Sequence, residues 1–297
     1  MRVAAVADRP MAANAAPVVL AGAETLRERA AVAKTDPVTE QAALLRSLHV
    51  PGTPLVLANA WDAASARVAE AAGAPVVATT SAGVAWSLGA RDGDALDRDA
   101  AVAAVRRVVA AVSVPVTADI ESGFGDDPAG VAETIRGVLA AGAAGVNLED
   151  SLRPVDEAVA RLAAARAAAS RDDLFINARI DTFLRGNGDF AETVARAEAY
   201  LAAGADGIFV PGAIDPEVVG ALVAKIPAPV NVLVWPGAPT VGELADLGVA
   251  RVSLGSGVAE AAYAVIRRAT QEALAAGTYT SIEKAIDYGE LNGLLGA

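Results

Sequence analysis

The chain has 297 residues, 54% of them apolar and 4% aromatic, with 24 Lys and Arg against 36 Asp and Glu and a formal net charge of −12. A surface this acidic offers no attractive field to nucleic acid or to an anionic membrane. The absence of cysteine excludes disulfides, thiolate metal sites and cysteine catalysis. No apolar run is long enough to span a bilayer; the lack of cysteine fits a reducing cytoplasm, and a small anionic substrate is compatible with this charge where a metal ion or an arginine reverses the local potential.

Residues 1–40 read as an N-terminal extension, with one short helix expected over Thr25–Val32. Asp8 and the prolines in Met1–Ala23 break its apolar character and argue against a signal peptide. From residue 41 to 297 the chain reads as one domain. One phrase recurs there: an alanine-rich amphipathic segment, a glycine, then a short β-branched run ending in polar or acidic residues. It appears around Gly73, Gly142, Gly204 and Gly248. A glycine in that place is the left-handed residue that ends a helix and turns the chain into a strand.

Taken in order, strands are expected at Leu55–Asn59, Val76–Thr79, Val116–Asp119, Gly145–Glu149, Leu174–Arg179, Gly207–Val210, Val230–Val234 and Arg251–Leu254. Helices are expected after them at Ala63–Ala72, Arg98–Ala111, Pro128–Ala141, Val155–Ala169, Phe190–Ala203, Pro216–Lys225, Val241–Leu247 and Val258–Ala276. Asp127 and Pro128 form a helix start, with Asp as cap and Pro in the first position. Eight short apolar strands alternating with eight helices predict an α/β fold, a (β/α)8 TIM barrel. The competing architecture, an open doubly wound sheet, lacks its glycine-rich first turn. The tail from Tyr279 carries apolar residues at Ile282, Ala285, Ile286 and Leu291, as a helix packing on the barrel or on a neighbouring subunit would.

Barrel active sites lie at the C-terminal ends of the strands. Strand three ends in Asp119-Ile-Glu121, and strand alternation places both acids on one side. Strand four ends in Asn147-Leu-Glu149-Asp150. The two strands are neighbours, so Asp119, Glu121 and Glu149 are expected to converge, and Asp92 can join them from the loop after strand two. Crowded carboxylates repel unless a proton or cation intervenes, and oxygen-only ligands suit Mg²⁺ or Mn²⁺. Arg179 is the natural clamp for a substrate carboxylate, with Arg185 beside the Gly186-Asn187-Gly188 loop a further contact. Asn231 is a weaker substrate-binding candidate. His49, the one histidine, precedes the first strand and is expected to be structural.

Asn59-Ala60-Trp61-Asp62 with Ser65-Ala66, Thr80-Ser81-Ala82-Gly83, Arg91-Asp92, Asp119-x-Glu121-x-Gly123-Phe124-Gly125, Leu148-Glu149-Asp150 and Ala178-Arg179-x-Asp181 together resemble the isocitrate lyase/phosphoenolpyruvate mutase superfamily. The resemblance implies an Mg²⁺-dependent enzyme acting on a 2-oxo or 2-hydroxy carboxylate through an enolate. It gives Asp119 as the direct metal ligand and Asp92, Glu121 and Glu149 as holders of metal-bound waters. Thr80, Ser81, Ala82 and Gly83, with Trp61 nearby, match the substrate cradle; Arg179, Glu121, Thr80 and Ser81 carry the catalytic expectation. It also implies a homo-oligomer, dimer or tetramer, that exchanges its last barrel helix between subunits.

The departures narrow the chemistry. The lyase loop with its acid cysteine is absent, and Ser151 stands where the mutases carry a lysine. The expectation is a lyase or decarboxylase, with an oxaloacetate-like substrate favoured. A C–C or P–C bond hydrolase using Glu121 or Asp150 as base, and a metabolite-binding barrel without turnover, are the alternatives.

Overall fold

A computed structural model describes residues 37–296 of the chain. The extension before them, with the helix expected at Thr25–Val32, lies outside the described residues. The first element, α1 (Pro37–Ser47), is followed by β1 (Leu55–Leu57) and β2 (Asn59–Ala60), two halves of one strand interrupted at Ala58. Every strand pairing is parallel. The order runs β1, β9, β8, β7, β6, β5, β4, β3, β2, so the split first strand closes the ring on both sides and the sheet is an eight-stranded barrel.

The remaining strands are β3 (Val77–Thr79), β4 (Val116–Asp119), β5 (Gly145–Glu149), β6 (Phe175–Arg179), β7 (Gly207–Phe209), β8 (Val230–Leu233) and β9 (Arg251–Ser253). The outer helices are α2 (Ala63–Ala71), α4 (Arg98–Ala111), α5 (Pro128–Ala140), α6 (Val155–Ala168), α7 (Phe190–Ala202), α8 (Pro216–Lys225), α9 (Val241–Asp246) and α10 (Gly257–Ala275). A helix absent from the sequence reading, α3 (Ser81–Ser87), sits in the loop after β3, and α11 (Tyr288–Leu295) closes the described chain. Gly73, Gly142, Gly204 and Gly248 all have positive φ, the backbone form expected where a helix turns into a strand.

Alternation in the strands separates two cores. Val146, Leu148, Ile176, Ala178 and Ile208 face outward and pack with Val131, Ile135, Leu162 and Tyr200 of the helices. The side chains between them face inward, and the barrel interior is polar at mid-height. Arg251 reaches across from β9 to donate to Asn147 Oδ1 on β5 at 3.1 Å, an oxygen that also accepts from Asn177 at 2.9 Å. Below that layer α1 plugs the barrel with Leu45 and Leu48, which pack with Leu55, Val76 and Phe175.

His49 stacks on Phe175 with ring centroids 4.2 Å apart and bonds the Leu45 carbonyl through Nδ1 at 2.8 Å. Burial first, and the Arg251 charge second, lower its pKa to about 3, so it is a neutral structural ring at the closed end. The other barrel face, at the strand C-termini, is free for chemistry.

The eighth helix is the exception to this packing. Within α10 only Ala259 is buried, while Val258, Tyr263, Ile266 and Leu274 are exposed, Leu274 at 84%. Outward-facing Val56 on β1 is 39% exposed as well. No helix among the described residues is long and apolar enough to cross a membrane.

Candidate active site

β4 ends at Asp119, and the chain then leaves strand geometry. Strand alternation therefore does not place Glu121, contrary to the sequence expectation. Glu121 instead adopts a left-handed backbone, φ 49°, which a non-glycine residue holds only under local constraint. The constraint is visible. The Glu121 amide donates to Asp119 Oδ1 at 3.0 Å, and its carboxylate Oε2 accepts from the backbone amide of Asp94.

Asp94 is itself left-handed at φ 57° and returns the interaction through its side chain. Its carboxylate accepts from the Ser122 hydroxyl at 2.6 Å and the Ser122 amide at 3.3 Å. Two loops are thus locked face to face. Arg161, nearly fully buried, braces the same turn by donating to the carbonyls of Ser122 and Gly125 at 2.9 and 2.6 Å.

Charge in this half of the mouth is unbalanced. Burial is the main cause that raises the Asp119 pKa to about 7; Arg179 opposes it, and the charges of Glu149 and Asp92 add to it. Glu121 is likewise raised to about 7, mainly by burial; its bond to the Asp94 amide opposes the shift, and the charges of Asp94, Asp92 and Asp119 add to it. Its second oxygen, Oε1, is buried without a hydrogen-bond partner among the described residues. An orphaned carboxylate oxygen beside other acids is a costly arrangement that a hard cation relieves.

The β5–β6 half is different. Arg179 holds Nη1 2.7 Å from Glu149 Oε2 as an ion pair and donates Nε to Asp181 Oδ1 at 2.6 Å. Glu149 Oε1 accepts from Ser151 at 2.7 Å, and Arg185 stands 3.4 Å from the same oxygen. Burial raises the Glu149 pKa, with Arg179 opposing it. Burial of Arg179 alone would lower its pKa; Glu149, Asp181 and Asp119 overturn that and raise it.

Asp150 points away from the mouth. Its carboxylate accepts from Tyr200 at 2.8 Å, from Arg196 at 3.0 Å and from the Leu152 and Asp181 amides, both at 3.1 Å. A carboxylate with all its acceptor directions filled cannot act as a water-activating base, which removes Asp150 from that role.

The expected metal residues are therefore only partly gathered. Asp119, Glu121 and Asp92 share one region, with Glu149 near enough to repel Asp119. Among the described residues no three acids or histidines stand close enough to ligate one ion together. The expected convergence of three carboxylates fails in that strict sense because Arg179 holds Glu149 and the Asp94 amide holds Glu121. The oxygen-only donor set and the orphaned Glu121 oxygen fit a hard cation.

The cradle residues behave as a unit. Thr80 precedes α3 and its amide donates to Ala60 at 2.9 Å, while Ser81, Ala82 and Gly83 form the first turn, whose amides have no helical partner. A Cβ on Gly83 would lie 2.7 Å from Thr80 Cγ2 and 2.8 Å from Trp61 Cβ, so only glycine lets α3 settle onto the Trp61 loop. Asp62 is structural, forming a capping box with Ser65 at the start of α2. Asn231 lies lower in the barrel, buried, where it accepts from Ser253 at 2.9 Å; it is not brought to the acids.

The chain matches the phosphoenolpyruvate phosphomutase family over residues 45–274. It belongs to that family. A phosphonomutase-like protein of Burkholderia cenocepacia J2315 is 48% identical, with a TM-score of 0.76 over 78% of this chain and 99% of that one. The oxaloacetate decarboxylase of Paraburkholderia xenovorans is 33% identical over 216 residues, 68% of this chain and 70% of its own. A phosphonopyruvate hydrolase solved with oxalate and Mg²⁺ is 25% identical, with a TM-score of 0.76 over 86% and 95% of the two chains. The isocitrate lyase/phosphoenolpyruvate mutase superfamily holds lyases, mutases and hydrolases, and this chain is an enzyme of that lyase-type group.

Proposed function

We propose that the protein is an Mg²⁺-dependent lyase that breaks a carbon–carbon bond beside the carbonyl of a small 2-oxo acid, with decarboxylation of an oxaloacetate-like substrate favoured. The observation that carries this reading is the unbalanced pair Asp119 and Glu121, both raised to about 7 where the barrel opens. The likeness to an oxaloacetate decarboxylase supports the choice of reaction.

Asp119 would hold the cation directly, with Asp92, Glu121 and Glu149 fixing its outer shell. When bound, it supplies Lewis-acid polarisation of the substrate carbonyl. Thr80 and the first amides of α3 would orient the substrate carboxylate and oxo oxygens. The guanidinium of Arg179 lies beside the charge that develops as carbon dioxide leaves. Loss of carbon dioxide needs no protein base, which agrees with a chain that has no cysteine and a committed Asp150.

Hydrolysis of a C–C or P–C bond is the second reading. A Glu121 carboxyl poised near neutral pH, with one free oxygen, suits a base for water. The test is to incubate the protein with Mg²⁺ and oxaloacetate, branched malates or phosphonopyruvate, following carbon dioxide, pyruvate and phosphate. Carbon dioxide release from oxaloacetate supports the lyase, phosphate release supports the hydrolase, and metal binding with no turnover of any of them leaves a metabolite-binding barrel. The exposed apolar face of α10 and the uncovered Val56 support a homo-oligomer in which α10 of one copy covers the barrel of another.

A further inference from the structure

We infer that Arg185 is a specificity-determining residue that takes the second carboxylate of a dicarboxylic 2-oxo or 2-hydroxy acid. The inference rests on the proposed function and adds which such acids the mouth selects. It begins from the unequal engagement of the two arginines there. Arg179 spends Nε and Nη1 on Asp181 and Glu149 at 2.6 and 2.7 Å, and its side chain is largely buried. Arg185 faces the same two acids at only 3.4 and 3.3 Å, and its side chain is 43% exposed. The Asp181 oxygen towards which it points, Oδ2, has no hydrogen-bond partner among the described residues, so that contact is a charge pair without a hydrogen bond.

Half-exposed ion pairs of this kind contribute little. An incoming carboxylate that meets the planar guanidinium fork edge-on offers two aligned bonds in their place. Arg179 keeps its contacts to both acids when Arg185 turns to a ligand, so neither acid is left without a cationic contact.

The segment bearing Arg185 is fixed. The amides of Leu184, Arg185 and Gly186 all converge on the Asp181 carbonyl at 3.1, 2.8 and 3.3 Å, and Gly188 bonds back to Thr182 at 2.9 Å. A Cβ on Gly186 would stand 2.6 Å from the Thr182 carbonyl oxygen, and one on Gly212 would stand 2.7 Å from the Phe183 backbone. The buried Thr182 and Thr193 hydroxyls bond at 2.5 Å and tie the turn to α7. A guanidinium with uncommitted donors is thereby held over the mouth on a rigid base, which lowers the ordering cost of binding.

Malate and lactate isolate the claim, because they share the 2-hydroxy acid end and differ by the second carboxylate. Each is titrated calorimetrically into the full-length protein with saturating Mg²⁺, alongside Arg185→Gln and Arg185→Lys. The expected result is a wild-type preference for malate of about tenfold or more, the size of one charge-assisted contact. Arg185→Gln erases that preference with lactate affinity and melting temperature unchanged, and Arg185→Lys restores part of it. A preference for malate that survives Arg185→Gln, or equal wild-type affinities for the two acids, overturns the inference while leaving the proposed function standing. Failure of both acids to bind overturns the proposed function and the inference together.

Discussion

The two halves of the barrel mouth handle negative charge in opposite ways. Around β5 and β6 each acid has a cationic partner: Glu149 and Asp181 share Arg179, and Asp150 has Arg196. Around β4 the acids Asp119, Glu121, Asp92 and Asp94 stand together, and the bonds that hold Glu121 and Asp94 come from backbone amides and a serine. The contrast separates roles that a list of carboxylates would merge. On the proposed function, the balanced half holds its shape and meets an anion, and the unbalanced half meets a cation.

The sharpest way to break this comparison is Asp119→Ala, which is expected to lower Mg²⁺-dependent turnover at least about a thousandfold, as for loss of a principal electrostatic element. Circular dichroism should show an intact fold. Retained turnover would mean that the unbalanced half is not the cation site.

Asp150→Ala tests the balanced half, because it takes from the buried Arg196 one of its two carboxylates, Glu192 being the other. It also leaves the Tyr200 hydroxyl and the Leu152 and Asp181 amides without their acceptor. Breaking a buried pair costs about 3–5 kcal/mol, read as a lower urea midpoint. A change below about 1 kcal/mol, the range of surface pairs, would show Asp150 to be dispensable to the fold.

Arg179→Lys sits between the halves. It is expected to weaken substrate binding by about 1–3 kcal/mol because a point charge cannot hold two acids and an anion as the planar fork does. An unchanged KM would remove Arg179 from the substrate contact.

The smallest effect is in stability against pH. Asp119 and Glu121 have folded pKa values raised above their unfolded ones, so the folded state holds the extra protons between about pH 4 and 7. Their contribution is fully present below that window and is lost as pH rises through about 7. The melting temperature of metal-free wild type should therefore fall relative to Asp119→Asn across this range, and Mg²⁺ should recover the difference. Parallel curves would contradict the stated burial of charge.

The barrel was legible because its signals are local. The joint glycines at 73, 142, 204 and 248 mark each helix end by backbone geometry alone, and Asp127-Pro128 reads as a cap that the structure forms at 2.8 Å to the Gly130 amide. The first strand's break at Ala58 and helix α3 escaped; α3 is set by packing, since it depends on Gly83 meeting Trp61. At the mouth, the acids were legible as residues and the partners were not. Asp94 follows Asp92 by two positions, yet nothing in Arg91-Asp92-Gly93-Asp94 announces that its amide and carboxylate interlock with Glu121 and Ser122. Alternation misplaced Glu121 because the strand stops two residues earlier. Arg251, at a strand start in the sequence, crosses the barrel interior to Asn147, a contact between residues 104 apart.

The direct test of the central claim is Mn²⁺ binding followed by electron paramagnetic resonance at pH 8, where Asp119 and Glu121 are ionised, in wild type and Asp119→Asn. The account predicts one site in the wild type, competed by Mg²⁺ and lost in the variant. No bound Mn²⁺ in the wild type, or equal binding in the two proteins, would contradict it.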